Sequence, residues 1–173
     1  MILQTNRLFL RPIAVSDAPA LFEARSDAEV MRYWDWPEQK DVAAVERILA
    51  EHVPELASEA TRWWAVALSP HGPAIGECDL SEIDRRHGRA EVGFLFARRY
   101  WGHGYAQEAM QRVIGYGFND LGLERLWARF HEGNDASKRL LEKLGFACEG
   151  RLREHIVRDG ERRDCLIYGR LRS

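Results

Sequence analysis

Lysine is scarce in this chain. Only Lys40, Lys138 and Lys143 occur among 173 residues that carry 25 basic side chains. Arginine supplies the rest, scattered along the sequence, and acidic residues slightly outnumber basic ones, for a formal net charge of −2. No global field favours nucleic acid, and none is expected as a partner. Cysteine is also sparse: Cys78, Cys148 and Cys165 stand alone in strand-like segments, with no C-x-x-C pair. That excludes the usual zinc and disulfide patterns and predicts buried free thiols in a reducing compartment. No histidine pair has ligand spacing, so no metal is expected. No apolar run approaches the roughly 20 residues needed to span a bilayer. Met1 to Arg7 lacks the apolar core of a signal peptide. The expectation is a cytoplasmic protein with no membrane partner. Repeats, linkers and low-complexity segments are missing as well, so residues 1–173 read as one α/β domain with room for a real core. The oligomeric state is left open, a homodimer included.

The chain has strong periodic segments. Leu8 to Ile13 reads as a first strand, stopped near Pro12. Ser16 or Asp17 caps a short helix, and Asp27 caps another through Val30 and Met31. Trp34-Asp35-Trp36-Pro37 breaks it. Val42, Val45, Ile48, Leu49 and Val53 recur at helical spacing between about Asp41 and Ala60, with Pro54 expected to kink or end that helix. Three strands follow, Trp63 to Leu68, Ala74 to about Leu80 and Arg89 to Phe96, as an antiparallel meander. A glycine turn leads into a helix from about Gly104 to Leu121, striped by Ala106, Ala109, Met110, Val113, Ile114 and Phe118. Arg125 to Phe130 is the next strand. Asn134 starts a last helix, which Gly145 ends. A hairpin around Asp159-Gly160 closes the chain.

The stretch Arg99-Tyr100-Trp101-Gly102-His103-Gly104-Tyr105-Ala106 carries the chemistry. A strand, a glycine turn and a helix start bring unpaired backbone N–H groups and a positive dipole end together, which suits a phosphate. Gly102 and Gly104 lack a Cβ, so a phosphate can approach the main chain. A P-loop needs a Lys-Ser/Thr pair after the last glycine, and none is present. A Rossmann fingerprint needs a small residue where Gln107 stands, and a meander upstream is wrong for a dinucleotide fold. The pattern Arg/Gln-x-x-Gly-x-Gly/Ala fits as Arg99-x-x-Gly102-x-Gly104.

With its flanks, the stretch resembles the GNAT superfamily of acetyl-CoA-dependent N-acetyltransferases, and within it the RimJ/RimL type that acetylates ribosomal protein N-termini. Thr5 to Pro12 is similar to that type's first strand. Tyr100 to Ala106 with Glu108-Ala109 is similar to its cofactor loop, and Asn134-x-x-Ser137 with Leu144-Gly145-Phe146 to its downstream signature. The resemblance implies a mixed, twisted sheet of about seven strands whose strands four and five splay apart around the pantetheine arm of acetyl-CoA. It implies that the backbone of Leu95, Phe96 and Ala97 hydrogen-bonds the pantetheine amides. Gly102, His103, Gly104, Tyr105, Ala106 and Gln107 would hold the pyrophosphate, and Asn134 would touch the arm.

Acetyl transfer to an amine needs a base or water relay to free the nucleophile, and a donor for the developing oxyanion. The leaving thiolate, with a pKa of about 8.5, is helped by an acid. Many members of the family place a Tyr seven residues after the capping Asn; Leu141 stands there. The RimJ/RimL type places a Ser at the position of Ser137, implying a hydrogen bond to the sulfur. Where another subgroup keeps a catalytic Glu on strand five, this chain has Arg129, which leaves Glu91 as the candidate base. Trp34, Asp35 and Trp36 could receive a cationic amine between aromatic faces and a carboxylate. The expectation is direct transfer to a primary amine, favouring a protein or peptide α-amine. A small-molecule amine and a non-catalytic CoA-binding module are the alternatives.

Overall fold

The computed structural model describes residues 1–172, the side chains of residues 55 and 57 apart. Among these it contains one sheet of eight strands in the order β1-β2-β3-β4-β5-β6-β8-β7. The strands are β1 (Leu3–Gln4), β2 (Phe9–Pro12), β3 (Arg62–Ala67), β4 (Ala74–Asp84), β5 (Arg89–Phe96), β6 (Arg125–His131), β7 (Ala147–Arg158) and β8 (Glu161–Leu171). The helices are α1 (Ala18–Arg25), α2 (Ala28–Met31), α3 (Val42–His52), α4 (Tyr105–Gly115) and α5 (Asp135–Lys143). The expected seven strands become eight because Leu3–Gln4 pairs with Phe9–Leu10. Two residues are too few to show a period of two.

Strand alternation sorts the sheet into two faces. Ala90, Val92 and Phe96 of β5 and Leu126, Ala128 and Phe130 of β6 point into the main core with Met110 and Val113 of α4 and Leu141 of α5. Residues on the opposite face of the sheet look toward α1, α2 and α3. There Ala65 and Ala74 pack against Leu21, Val45 and Leu49, and Leu95 packs against Val30 and Met31. The polar residues Glu77, Asp79, Ser81, Glu91, Arg129 and His131 share this second face by the same alternation.

β5 and β6 form the sheet's parallel pair, and they pair only from Arg89↔Arg125 to Glu91↔Trp127. Beyond that point the strands separate. This is the expected splay, and it opens a wedge with Glu91 at its apex.

Some local expectations shift. Asp17 precedes α1, but its carboxylate turns back to Ala14 N–H at 2.9 Å and to Arg11, rather than capping the helix. Asp27 does cap α2, accepting from Glu29 N–H. The helix that periodicity extends to residue 60 ends as an α-helix at His52, and the chain tightens into a 3-10 turn over Val53–Ala57, where Pro54 removes a donor. After α4 the last turn widens: Leu121 N–H reaches Tyr116 C=O, five residues back, at 3.0 Å. Cys78 and Cys165 are buried, but Cys148 on the edge strand β7 is exposed, contrary to expectation.

Candidate active site

Two cavities meet on the open side of the wedge. The larger, of about 660 Å³, runs from the end of β5 over the glycine turn to α5. Gly102 and Gly104 hold positive φ values of 76° and 78°, which turn the chain into α4. Only glycine adopts these freely. The first main-chain bond of α4 runs from Glu108 N–H to Gly104 C=O, so among the described residues the amides of 102–107 donate to no protein acceptor. A row of free N–H groups at the positive end of a helix fits a diphosphate. Arg139 and Lys143 of α5 add positive charge along the same groove.

The loop is braced from behind by the turn between β1 and β2. Thr5 Oγ1 donates to Glu108 Oε1 at 2.6 Å, and Arg7 gives Glu108 its N–H and its Nε. The Arg7 guanidinium also reaches His103 C=O at 3.1 Å and lies over the Tyr105 ring. Glu108 is held below the ordinary glutamate range by these hydrogen bonds, against a desolvation cost that is the largest single influence.

The main chain of β5 departs from one implied role. Ala97 N–H donates to Ile75 C=O at 3.1 Å. Backbone groups of an antiparallel pair alternate sides along the strand. Leu95 and Ala97 therefore spend theirs on β4, and Phe94 and Phe96 turn theirs toward the wedge. Of the three residues expected to hold the pantetheine amides, only Phe96 presents its main chain there, and its C=O already accepts from Trp101 Nε1 at 2.8 Å. Leu95 still lines the groove, while Ala97 and His103 do not.

The smaller cavity, of about 280 Å³, lies within the wedge near its apex, between β4, β5, β6 and the segment joining α2 to α3. Tyr33, Trp34, Phe94, Asn134 and Ser137 line both cavities. Asn134 caps α5 by accepting from Ser137 N–H at 3.1 Å. Leu141 closes the wall where a Tyr would stand in other members of the resembling family. The Arg129 main chain, across the mouth of the wedge, favours the ionised form of Glu91 slightly. Burial lifts its carboxyl to about 7, with Glu82 and Asp79 adding to the rise and Arg129 opposing it. Asp79 is also lifted to about 7, first by burial. Cys165 lies behind Arg129, whose Nη1 points at its sulfur; burial raises that thiol, which suits a structural residue rather than a nucleophile.

Sequence reasoning brought Trp34, Asp35, Trp36, Glu91 and Ser137 to this cavity, and all five line it. It missed Asp79, Ser81 and His131, whose strand spacing carries no local signature. The aromatic rings of Trp34 and Trp36 lie 5.5 Å apart. Asp35 is not free to receive an amine. Its Oδ2 accepts from Arg129 at 2.9 Å and its Oδ1 pairs with His131 Nε2 at 2.8 Å. These contacts fasten the α2–α3 segment over the cavity. The His131 hydrogen bond, then Arg129, brings the Asp35 carboxyl down to about 2. A depressed carboxyl adds stability above its unfolded value of about 3.9, and that stability is lost as pH falls toward 2. Asp35→Asn is therefore expected to lower Tm at pH 7 and to flatten its decline between about pH 4 and 2. A parallel shift of the whole Tm–pH curve would contradict this account.

Among the described residues no cluster of side chains suits a metal ion, and no helix is long and apolar enough to cross a membrane. Comparison with known proteins agrees with the groove. Residues 7–147 match the acetyltransferase (GNAT) domain. The uncharacterized N-acetyltransferase p20 of Bacillus licheniformis is 34% identical, covering 98% of this chain and 96% of its own. The spermidine N(1)-acetyltransferase of Escherichia coli K12 is 27% identical over 91% of this chain and 82% of its own. A solved GNAT acetyltransferase from Bacillus anthracis superimposes with a TM-score of 0.86 at 26% identity, covering 99% of this chain and 98% of that one. The splayed strands, the free amides of 102–107 and these matches have one explanation: the chain belongs to the GNAT family and is an acetyl-CoA-dependent acyltransferase.

Proposed function

We propose that this enzyme acetylates a primary amine directly, and that the favoured acceptor is the α-amine of a peptide or protein. The observation that carries this reading is the meeting of the phosphate-ready groove and the acid-lined cavity at Asn134 and Ser137. Acetyl-CoA, when bound, supplies a thioester carbonyl carbon and a leaving thiol. The amides of Gly102 to Gln107 hold its diphosphate, and Phe94 and Phe96 border its arm. Glu91 takes the proton from the incoming ammonium, leaving a neutral nitrogen lone pair. Ser137 stands where it can donate to the departing sulfur. Holding both partners in line lowers the barrier further.

The cavity lining is mixed. Carboxylates of Asp79 and Glu91 meet the guanidinium of Arg129 and the ring of His131. A peptide end presents an ammonium followed by carbonyl oxygens, and such a lining answers both. A purely cationic acceptor would use the carboxylates and meet Arg129 as a repulsive neighbour. The second reading, a polyamine acceptor, is supported by the likeness to the spermidine enzyme and by the Trp34 and Trp36 faces, which suit a second cationic nitrogen.

Free-thiol release from acetyl-CoA, followed against N-terminal peptides and a panel of polyamines and aminoglycosides, separates the two. Turnover is expected with peptides, with kcat/KM at least tenfold above that of any small amine. Turnover confined to polyamines would replace the first reading by the second, and CoA binding without turnover on any amine would count against both.

A further inference from the structure

Asp79 has no part in the chemistry above, yet its carboxylate is brought to the cavity by a specific arrangement. Asp79 stands opposite Gly93 in the β4–β5 ladder, and a Cβ on Gly93 would lie 2.2 Å from Asp79 Oδ1. The carboxylate thus occupies the space that the glycine leaves open, reaching across to the strand that borders the wedge. Two residues on and on the same face, Ser81 stands directly opposite Glu91, and its hydroxyl favours the ionised form of the neighbouring Asp79 carboxyl. Immediately after Ser81 the β4–β5 register shifts, and Glu82 takes a left-handed φ of 49°. Irregularities of this kind re-aim side chains next to sites. Directly opposed residues hold their Cβ atoms about 5 Å apart, so a Ser81 hydroxyl and a Glu91 carboxyl on one face can touch. Asp79, Ser81 and Glu91 all line the smaller cavity.

We propose that Ser81 and Asp79 form a proton relay behind Glu91, carrying away the proton that Glu91 takes from the amine. The relay rests on the reading of Glu91 as the base. The ammonium N–H bond breaks and its proton moves to the Glu91 carboxylate. The neutral amine then forms the N–C bond as the C–S bond breaks, and the second N–H proton passes to the departing sulfur, giving the amide and the CoA thiol. Protonated Glu91 gives its proton to Ser81 Oγ while the Ser81 hydroxyl proton passes to Asp79. Glu91 is again a carboxylate, Ser81 again a hydroxyl, and Asp79 holds the proton that each turnover must release. Other charged groups face the relay from several sides. Glu77 and, through it, Arg25 of α1 stand beside Asp79; Glu82 and Arg129 flank Glu91; Asp35 and His131 close the opposite wall. Ser81 is the hydroxyl that the ladder sets between the two carboxylates, opposite Glu91 and two residues from Asp79 on the same face.

Two measurements test this. In steady-state turnover, Ser81→Ala and Asp79→Asn are each expected to lower kcat at least tenfold, with the amine KM within threefold in Ser81→Ala, and the double variant to have a kcat no lower than the worse single one. Ser81→Thr keeps the hydroxyl and is expected to retain at least half of kcat, which separates relay loss from misfolding. In carboxyl NMR titration of the free protein, Asp79→Asn is expected to move the Glu91 titration to lower pH by removing its coupled neighbour. Unchanged kcat in both Ser81→Ala and Asp79→Asn, or equal loss in Ser81→Thr and Ser81→Ala, would overturn the relay. If Glu91→Gln itself leaves kcat unchanged, the base assignment fails instead, and the two failures are told apart by that variant.

Discussion

Gly104→Val is expected to weaken CoA binding at least 100-fold in isothermal titration while leaving the rest of the fold in place. Gly104 is the residue that turns the chain into α4, with φ at 78°. An L-residue in that region costs about 1–2 kcal/mol, and a β-branched one suffers more. The chain escapes that cost by rotating the Gly104 peptide toward negative φ, which swings the Tyr105 and Ala106 amides off their common target. At 1.4 kcal/mol per tenfold, a 100-fold loss corresponds to about 2.8 kcal/mol, which needs only two or three charge-assisted amide bonds to be misdirected. The added side chain also crowds Arg7, whose guanidinium lies 3.4 Å from the position of a Cβ on Gly104. Affinity within threefold of the parent would mean that the diphosphate is held elsewhere.

Glu91→Gln is the second large effect. A positioned base contributes roughly 10²–10⁴-fold, and a loss of kcat in that range is expected, with CoA affinity unchanged because the free amides lie outside its reach. The pH dependence gives a sharper test. The Glu91 carboxyl is raised to about 7 by burial, so at pH 6 most of it is protonated and cannot accept the amine's proton. In the parent enzyme kcat/KM should climb through about pH 7 toward a plateau, and in Glu91→Gln that limb should vanish. Stability should move the opposite way. A carboxyl whose folded pKa lies above its unfolded value destabilises the fold as pH rises between the two. The glutamine variant should therefore be at least as stable as the parent above pH 7. Lower stability together with lower activity would point to a structural rather than a chemical role for Glu91.

Much of the cofactor half of the site was legible in the chain. The glycine turn, the start of α4 and the Asn134 cap are local features. Each is set within a few residues by backbone conformation, helix-end hydrogen bonding and the lack of a Cβ, and each stands where spacing placed it. The main strands were legible from alternation, though not β1, whose two residues are defined by their partner rather than by a pattern. Even within the cofactor half, the phase of β5 escaped. Which of Phe94, Leu95, Phe96 and Ala97 turns its amide to the wedge depends on its register with β4, and register is a relation between strands.

The acceptor half depended on contacts between distant segments. Asp35 reads locally as a free carboxylate between two tryptophans, but it meets Arg129 and His131 more than 90 residues away. Asp79, Ser81 and Glu91 look like ordinary polar strand residues until the β4–β5 register and the gap at Gly93 put them together. The sequence by itself determined the phosphate-ready turn, because a helix terminus with glycines before it is a short-range device, and the resemblance of its flanking motifs to one family gave the cosubstrate. Only the tertiary structure decided which side chains face the acceptor and which are already engaged, because burial, charge pairing and pKa are properties of neighbours that the chain brings together only when the sheet has formed.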